Sequence, residues 1–208
     1  MKIAIIGAGN VGGTLGTAFA RHGHEVVFAA RDPSSDKLKA AVERAPGARA
    51  AAVAEAAASA DLVVLATPWP SAEQAVRSAG DLSGKVLIDC TNPLAPDLSG
   101  LVVGQNDSAA ESVARWAPGA RVVKAFNTTG FNNMADPHYG DQRIDMYVCG
   151  DDQAARSTVM RLAEEIGFDP VDCGPLRNAR LLEPLAMLWI WLAINGQGPD
   201  IAFKLLRR

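Results

Sequence analysis

A doubly wound α/β fold, with a mostly parallel sheet covered by helices on both faces, is what this sequence predicts. Three observations carry the prediction. Short apolar runs such as KIAIIG, DLVVLATP and KVLIDCTN recur along the chain. Stretches with helical spacing separate them, the alternation expected when strands are buried on both faces. The first run leads directly into a glycine-rich turn, Gly7-Ala8-Gly9-Asn10-Val11-Gly12, followed by a helical pattern.

The elements follow in order. KIAIIG is a strand, residues 11–21 a helix, and HEVVFAAR a second strand. A helix over 34–44 precedes ARAAAV, a weak third strand inside an Ala-rich run of mixed helix and strand character. DLVVLATP, KVLIDCTN and RVVKAFNT are further strands, with helices over 71–79 and 108–117 among them. FNTTGFNNMADPHYGDQRIDM reads as loop. MYVCG, a helix over 152–166 and FDPVDCG add edge strands to the same sheet, and apolar spacing in GPLRNARLLEPLAMLWIWLAINGQG marks a C-terminal helical appendage. Residues 1–150 therefore form the nucleotide-binding core, and 151–208 the edge strands and helical segment that complete an acceptor pocket within one compact unit.

Composition narrows the function. At 208 residues the chain can bury one substantial core. A net charge of −3 with no basic stripe argues against nucleic acid as a partner. Cys90, Cys149 and Cys173 are widely spaced, without a CxxC or a Cys/His cluster, which points to reduced thiols and no metal. Met1 leads straight into the first strand, leaving no place for a signal peptide, so a cytoplasmic location is expected. LAMLWIWLAI is about half the ~20 residues needed to span a bilayer, so no membrane segment is expected.

The turn GAGNVG between strand and helix has the context that gives a GxGxxG its mechanism, making the fold Rossmann-type. Gly7 makes the tight turn, Gly9 lets the backbone approach a pyrophosphate, and Gly12 allows close helix–sheet packing. Ala8, Asn10 and Val11 complete a loop whose helix N-terminus offers free N–H groups to phosphate. At the end of the second strand an acidic residue selects the ribose 2′-hydroxyl of NAD, whereas Arg accommodates the 2′-phosphate of NADP. Here Arg31 follows the apolar run, with Ser34, Ser35 and Lys37 downstream, a cation-and-hydroxyl cluster that favours NADP(H). Asp32 is adjacent, and an inward-pointing Asp32 would favour NAD instead.

Three later strand tips converge on one sheet edge as a candidate pocket. They are Thr67-Pro68-Trp69, Asn92 with Pro93, and the segment from Phe126 to Phe131, which contains Asn127, Thr128, Thr129 and Gly130. No catalytic acid or base stands out. His22 and His24 read as surface residues, His138 as a solvated loop residue, and Lys124 lies inside a strand, facing either side. Hydride transfer between two planar rings can rely on positioning alone, which fits this absence.

IGAGNVG, GHEVVFAAR, ATPW, KAFNT, CGDD and DCGPLRNARLLE together resemble the NADP-dependent coenzyme F420 oxidoreductases, and also the oxidoreductase domain of the STEAP metalloreductases. The resemblance implies NADP(H) at the loop and Arg31, and nicotinamide contacts from Thr128 to Phe131 through backbone groups. It further implies an acceptor ring, coenzyme F420 or the flavins FMN and FAD, stacked on the exposed nicotinamide face and walled by GPLRNARL. Two positions depart from the F420 pattern. Ala30 replaces a hydroxyl residue, and Asn127-Thr128-Thr129-Gly130 replaces a His–Thr–hydrophobic–Pro sequence, which is closer to the metalloreductase version.

Arg177 and Arg180 are candidates to meet an acidic or phosphorylated acceptor tail, or are plain exposed helix charges. Trp189, Trp191, Met187 and Leu192 read as a core or homodimer seam. Two competing readings are a redox sensor that binds NADP(H) without turnover and a pyrroline-carboxylate or hydroxyacid reductase. The second needs a large helical domain that the roughly sixty residues after VCGDD do not supply.

Overall fold

The structure, a computed structural model, describes residues 1–208. Strand β1 (Lys2–Ile6) alternates its side chains between two cores: Ile3 and Ile5 join one cluster, Ala4 and Ile6 the other. That two-sided burial explains why the strand reads as a continuous apolar run. The chain continues through α1 (Asn10–Arg21), β2 (Glu25–Ala30), α2 (Asp36–Arg44), β3 (Arg49–Ala52), α3 (Val53–Ser59), β4 (Leu62–Leu65) and α4 (Ala72–Ser78). It then forms β5 (Val86–Asp89), α5 (Ala109–Trp116), β6 (Arg121–Lys124), α6 (Phe131–Ala135), β7 (His138–Tyr139) and β8 (Gln142–Arg143). Last come β9 (Asp145–Gly150), α7 (Gln153–Glu165), β10 (Asp169–Asp172) and α8 (Ala179–Leu192).

Eight strands make one sheet in the order β10-β9-β6-β5-β4-β1-β2-β3. All neighbours pair in parallel except β6 and β9, which meet antiparallel through Val123–Gly150 and Lys124–Cys149. The mostly parallel, doubly wound fold is therefore as expected. Helices α1, α2 and α7 cover one face with Leu15, Phe19, Leu38, Val159 and Leu162. Helices α3, α4, α5 and α8 cover the other with Val53, Val76, Val113 and Leu182. The chain runs outward from β1 to β3 and then returns to β4 on the far side of β1. The carboxyl ends of β1 and β4 thus form the switch-point crevice where such sheets bind ligands.

The segment expected to be loop between β6 and β9 instead holds α6 and the β7–β8 hairpin. A five-residue helix is too short to show a period, and strands of two residues show no alternation. α3 was not separable within the Ala-rich run because Ala carries no face. Pro170 in β10 is tolerated because that strand lies at the sheet edge. His24, expected at the surface, donates from Nε2 to the Glu165 carboxylate of α7 at 2.8 Å and packs edge-on to Phe19, so it ties α1 to α7.

After α8 the chain turns back as an irregular tail. The indole of Trp189 donates to the Ile201 carbonyl at 2.7 Å, as does Asn133 Nδ2 at 2.8 Å. Lys204 reaches Asp145 at 3.0 Å, fastening the tail to β9. No helix is long and apolar enough to cross a membrane.

Candidate functional site

Gly7 leaves β1 with φ +103°, a left-handed backbone that favours glycine, and its N–H donates to the Ala29 carbonyl of β2 at 3.2 Å. A side chain on Gly12 would begin 1.9 Å from the Gly7 carbonyl oxygen, so the helix can sit this close only with hydrogen there. At Gly9 the situation is opposite. The nearest atom to a hypothetical Cβ is the Lys37 ammonium at 3.8 Å, so the space over the loop is open. Gly9 is the N-cap of α1 without a side-chain cap, and no acidic residue occupies the first turn. The first-turn amides and the positive end of the helix dipole therefore face this space unopposed.

A cleft of about 660 Å³ opens above the loop. Its walls are Gly7 to Val11, Ser35 and Lys37 on one side and Thr67, Pro68 and Trp69 on the other. Its far end is closed by Cys90, Thr91, Asn92 and the loop from Leu94 to Leu98. A second cavity of about 200 Å³ continues over the tip of β2, between Arg31 and Ser71, Gln74 and Ser78. The ionisable side chains lining both cavities are Arg31, Lys37 and Cys90, with no carboxylate or imidazole among them. Burial, then the neighbouring Asp89 carboxylate, push the Cys90 thiol well up, so it stays protonated and is no nucleophile.

Arg31 and Lys37 form no hydrogen bond or ion pair with protein, whereas Asp32 is engaged. Its carboxylate accepts the hydroxyl of Ser34 at 2.6 Å and the Ser34 amide at 2.9 Å, which hold its pKa down. The inward Asp32 that would favour NAD is thus not found, and the same contacts turn Ser34 away from both cavities. Thr67 Oγ1 is buried without any partner, a polar atom at the cleft wall waiting for one. The stacked indoles of Trp69 and Trp116, with centroids 5.2 Å apart, brace that wall. An open cradle over free amides, two unpaired cations and an orphan hydroxyl together fit a phosphorylated dinucleotide.

The segment 126–131 is divided by the fold. Phe126 takes a left-handed backbone at φ +58°, and Asn127 and Thr128 are buried beneath the cleft floor. Asn127 Nδ2 donates to Asn92 Oδ1 at 3.1 Å and to the Leu182 carbonyl at 3.2 Å, while Asn92 Nδ2 donates to the Asn127 carbonyl at 2.9 Å. Thr129 Oγ1 accepts from Asn133 at 2.8 Å, and Gly130 lies against the Trp189 ring. Phe131 is exposed and borders a separate groove along α1 with Gly9, Asn10 and Arg44.

GPLRNARL does not wall the cleft. Leu176 is buried in the core, and Arg180 pairs with Glu111 of α5 at 2.6 and 2.8 Å. Arg177 is exposed outside both cavities. Residues 94–98 line the cleft instead, and the Leu182 carbonyl that accepts from Asn127 at the β6 tip belongs to α8. What anchors it is a group of three charges that single-residue reasoning missed: Lys124 lies 2.9 Å from Asp89 and 2.9 Å from Glu183 of α8, all buried. Burial opposes the Lys124 charge, but the two carboxylates outweigh it and hold its pKa above the ordinary lysine value. A lysine and an aspartate inside otherwise apolar strands were the available signal.

The fold and cleft define a Rossmann-type dinucleotide-binding oxidoreductase. Residues 2–93 match the family model described as NADP oxidoreductase, coenzyme F420-dependent. The chain is 34% identical over 212 residues to the F420-dependent NADP reductase of Methanothermobacter marburgensis, covering 95% of this chain and 94% of that one. It is 31% identical over 194 residues to the metalloreductase STEAP3 of Rattus norvegicus, covering 91% of this chain but 38% of that longer protein. A crystal structure from Arthrobacter sp. FB24, provisionally described as an F420-dependent NADP-reductase, superposes with a TM-score of 0.91 at 36% identity over 100% of both chains. The chain belongs to the coenzyme F420-dependent NADP oxidoreductase family and is an NADP-dependent oxidoreductase.

Proposed function

We propose that this protein transfers a hydride between NADP(H) and coenzyme F420, with the dinucleotide lying along the cleft from Arg31 to Asn92. The observation that carries the dinucleotide half is the unpaired Arg31 guanidinium beside an Asp32 whose carboxylate is already occupied. In this reading Arg31, with Ser35 and Lys37, meets the 2′-phosphate, as cations and hydroxyls do for such groups. The residues from Gly7 to Gly12 hold the pyrophosphate on backbone amides. Thr67, Pro68 and Trp69 bound the nicotinamide ribose, and Asn92 lies at the ring end.

NADPH held in the cleft would supply the hydride, with solvent as the source of the proton that completes the reduced acceptor. The chain's own contribution is placement. Trp69, Leu94, Ala95 and Pro96 give the far end of the cleft an apolar lining, and no carboxylate or imidazole lines it to compete for the proton. The likeness to the F420-dependent NADP reductase of Methanothermobacter supports F420 as the acceptor. FMN or FAD is the second reading, supported by Asn127-Thr128-Thr129-Gly130 and by the likeness to the metalloreductase.

Anaerobic stopped-flow oxidation of NADPH against F420, FMN and FAD tests the assignment. Fast turnover with F420 and slow turnover with both flavins is expected; the reverse order assigns a flavin. Tight NADPH binding with no turnover on any acceptor makes the protein a redox sensor and ends the enzymatic reading. We also assign a homodimer seam to α8 and the turn after it, where Leu181, Leu188 and Trp191 of the helix and Ile194 beyond it are exposed. Sedimentation of Leu188→Glu beside the unmodified protein checks it, with a monomer expected only for the variant.

A further inference from the structure

We propose that Asp89, Lys124 and Glu183 act as positioning residues, a buried ionic clamp that sets Asn92 in place on the floor of the cleft. The three side chains are 0, 0 and 1% exposed. Lys124 Nζ spends its donors on Asp89 Oδ2 at 2.9 Å, Glu183 Oε1 at 2.9 Å and the Thr91 carbonyl at 2.5 Å. Asp89 Oδ1 accepts the amide and hydroxyl of Thr91 at 2.9 and 2.7 Å. Glu183 also accepts the amides of Ala109 and Ala110 at 2.9 and 3.2 Å, where the positive end of α5 offsets the second carboxylate.

Each charge lies a step below one member of the amide network over it. Asp89 precedes Thr91 and Asn92 at the tip of β5, Lys124 precedes Asn127 at the tip of β6, and Glu183 follows Leu182 on α8. Asn92 is therefore gripped through both its oxygen and its nitrogen by Asn127, whose own amide is tied to Leu182. Of the two asparagines only Asn92 lines the cleft. A buried ion group is a poor way to gain stability, since apolar packing of equal volume does as well or better. What it supplies is direction: saturated, charge-assisted bonds that cross-link β5, β6 and α8 in one register.

The effect on turnover rests on the hydride-transfer reading above, so the test has an arm that needs no cofactor. Amide hydrogen exchange is measured on the cofactor-free protein and on Glu183→Gln, which keeps the shape and removes the charge. Exchange is expected to speed up about tenfold or more in residues 90–92 and 125–128 and to stay unchanged in β1 and β2. In NADPH oxidation with F420, Glu183→Gln is expected to keep the NADPH Kd within about twofold while kcat falls about tenfold or more. Asn92→Ala, a cleft-surface change that leaves the clamp itself intact, is expected to lose kcat similarly with unaltered exchange in β6. Exchange that rises uniformly across the sheet, with affinity and kcat falling together, would reduce the clamp to a structural element. Unaltered exchange at the two tips, or wild-type kcat in Asn92→Ala, would also overturn it. Failure of the unmodified protein to turn over any acceptor removes the hydride reading alone, and the exchange result then decides the clamp.

Discussion

The Gly7 carbonyl oxygen lies 1.9 Å from where a Gly12 side chain would begin, whereas the same construction at Gly9 meets only the Lys37 ammonium, at 3.8 Å. The two glycines therefore separate folding from binding. Gly12→Ala forces backbone against backbone and is expected to cost about 1–3 kcal/mol of stability. Gly9→Ala is expected to melt like the unmodified protein yet bind NADPH about tenfold or more weakly, because its methyl fills the cradle over the amides. Melting curves paired with fluorescence titration read both, and intact NADPH affinity in Gly9→Ala would displace the pyrophosphate from this loop.

Arg31 has no protein partner and borders the cavity over β2. Losing a charge-assisted contact of about 1.5–3 kcal/mol predicts that Arg31→Ala weakens NADPH by about 10- to 100-fold. NADH, lacking the 2′-phosphate, should change by less than about twofold. Calorimetric titration with both cofactors is the check, and parallel losses would take Arg31 out of phosphate recognition.

Thr67 Oγ1 is buried and unpaired without a ligand. Thr67→Val removes a polar atom that gains nothing in the free protein, so apo stability should rise by up to about 1 kcal/mol. The same change removes a partner for the bound cofactor, so the thermal shift produced by NADPH should shrink. A shift as large as that of the unmodified protein would mean the hydroxyl never meets the cofactor.

Lys124 gives a pH signature. Burial alone would lower its pKa, but Asp89 and Glu183 hold it above the ordinary lysine value. The folded state then keeps its proton longer than the unfolded chain, so the contribution is complete at neutral pH and is lost as pH rises beyond about 10.4. Urea midpoints should hold from pH 7 to about 9 and fall above that range. Lys124→Met should cost about 3–5 kcal/mol at pH 7, by leaving two buried carboxylates without their cation, and should show a shallower alkaline decline. An identical alkaline slope in both proteins would assign the effect to other groups.

How far the sequence could be read depended on the range of the interaction involved. The strand–turn–helix at Gly7 to Gly12 was legible because its chemistry is local, a tight turn, a close approach and a free helix end within six consecutive residues. The position of Arg31, as the first residue past an apolar strand, followed from the same local reasoning. α6 and the β7–β8 hairpin were not, being shorter than the periods that betray helices and strands.

The order of covalent neighbours thus determined the doubly wound sheet, its switch point and the tight glycine turn that opens α1, since backbone sterics and side-chain periodicity act over a few residues. Only the tertiary structure decided that Asp32 turns onto Ser34, that residues 94–98 close the cleft in place of GPLRNARL, and that Lys124 stands between Asp89 and Glu183. Those outcomes come from where α8 docks and how adjacent strands align, and charges far apart in the chain acquire a meaning only once packing removes the water between them.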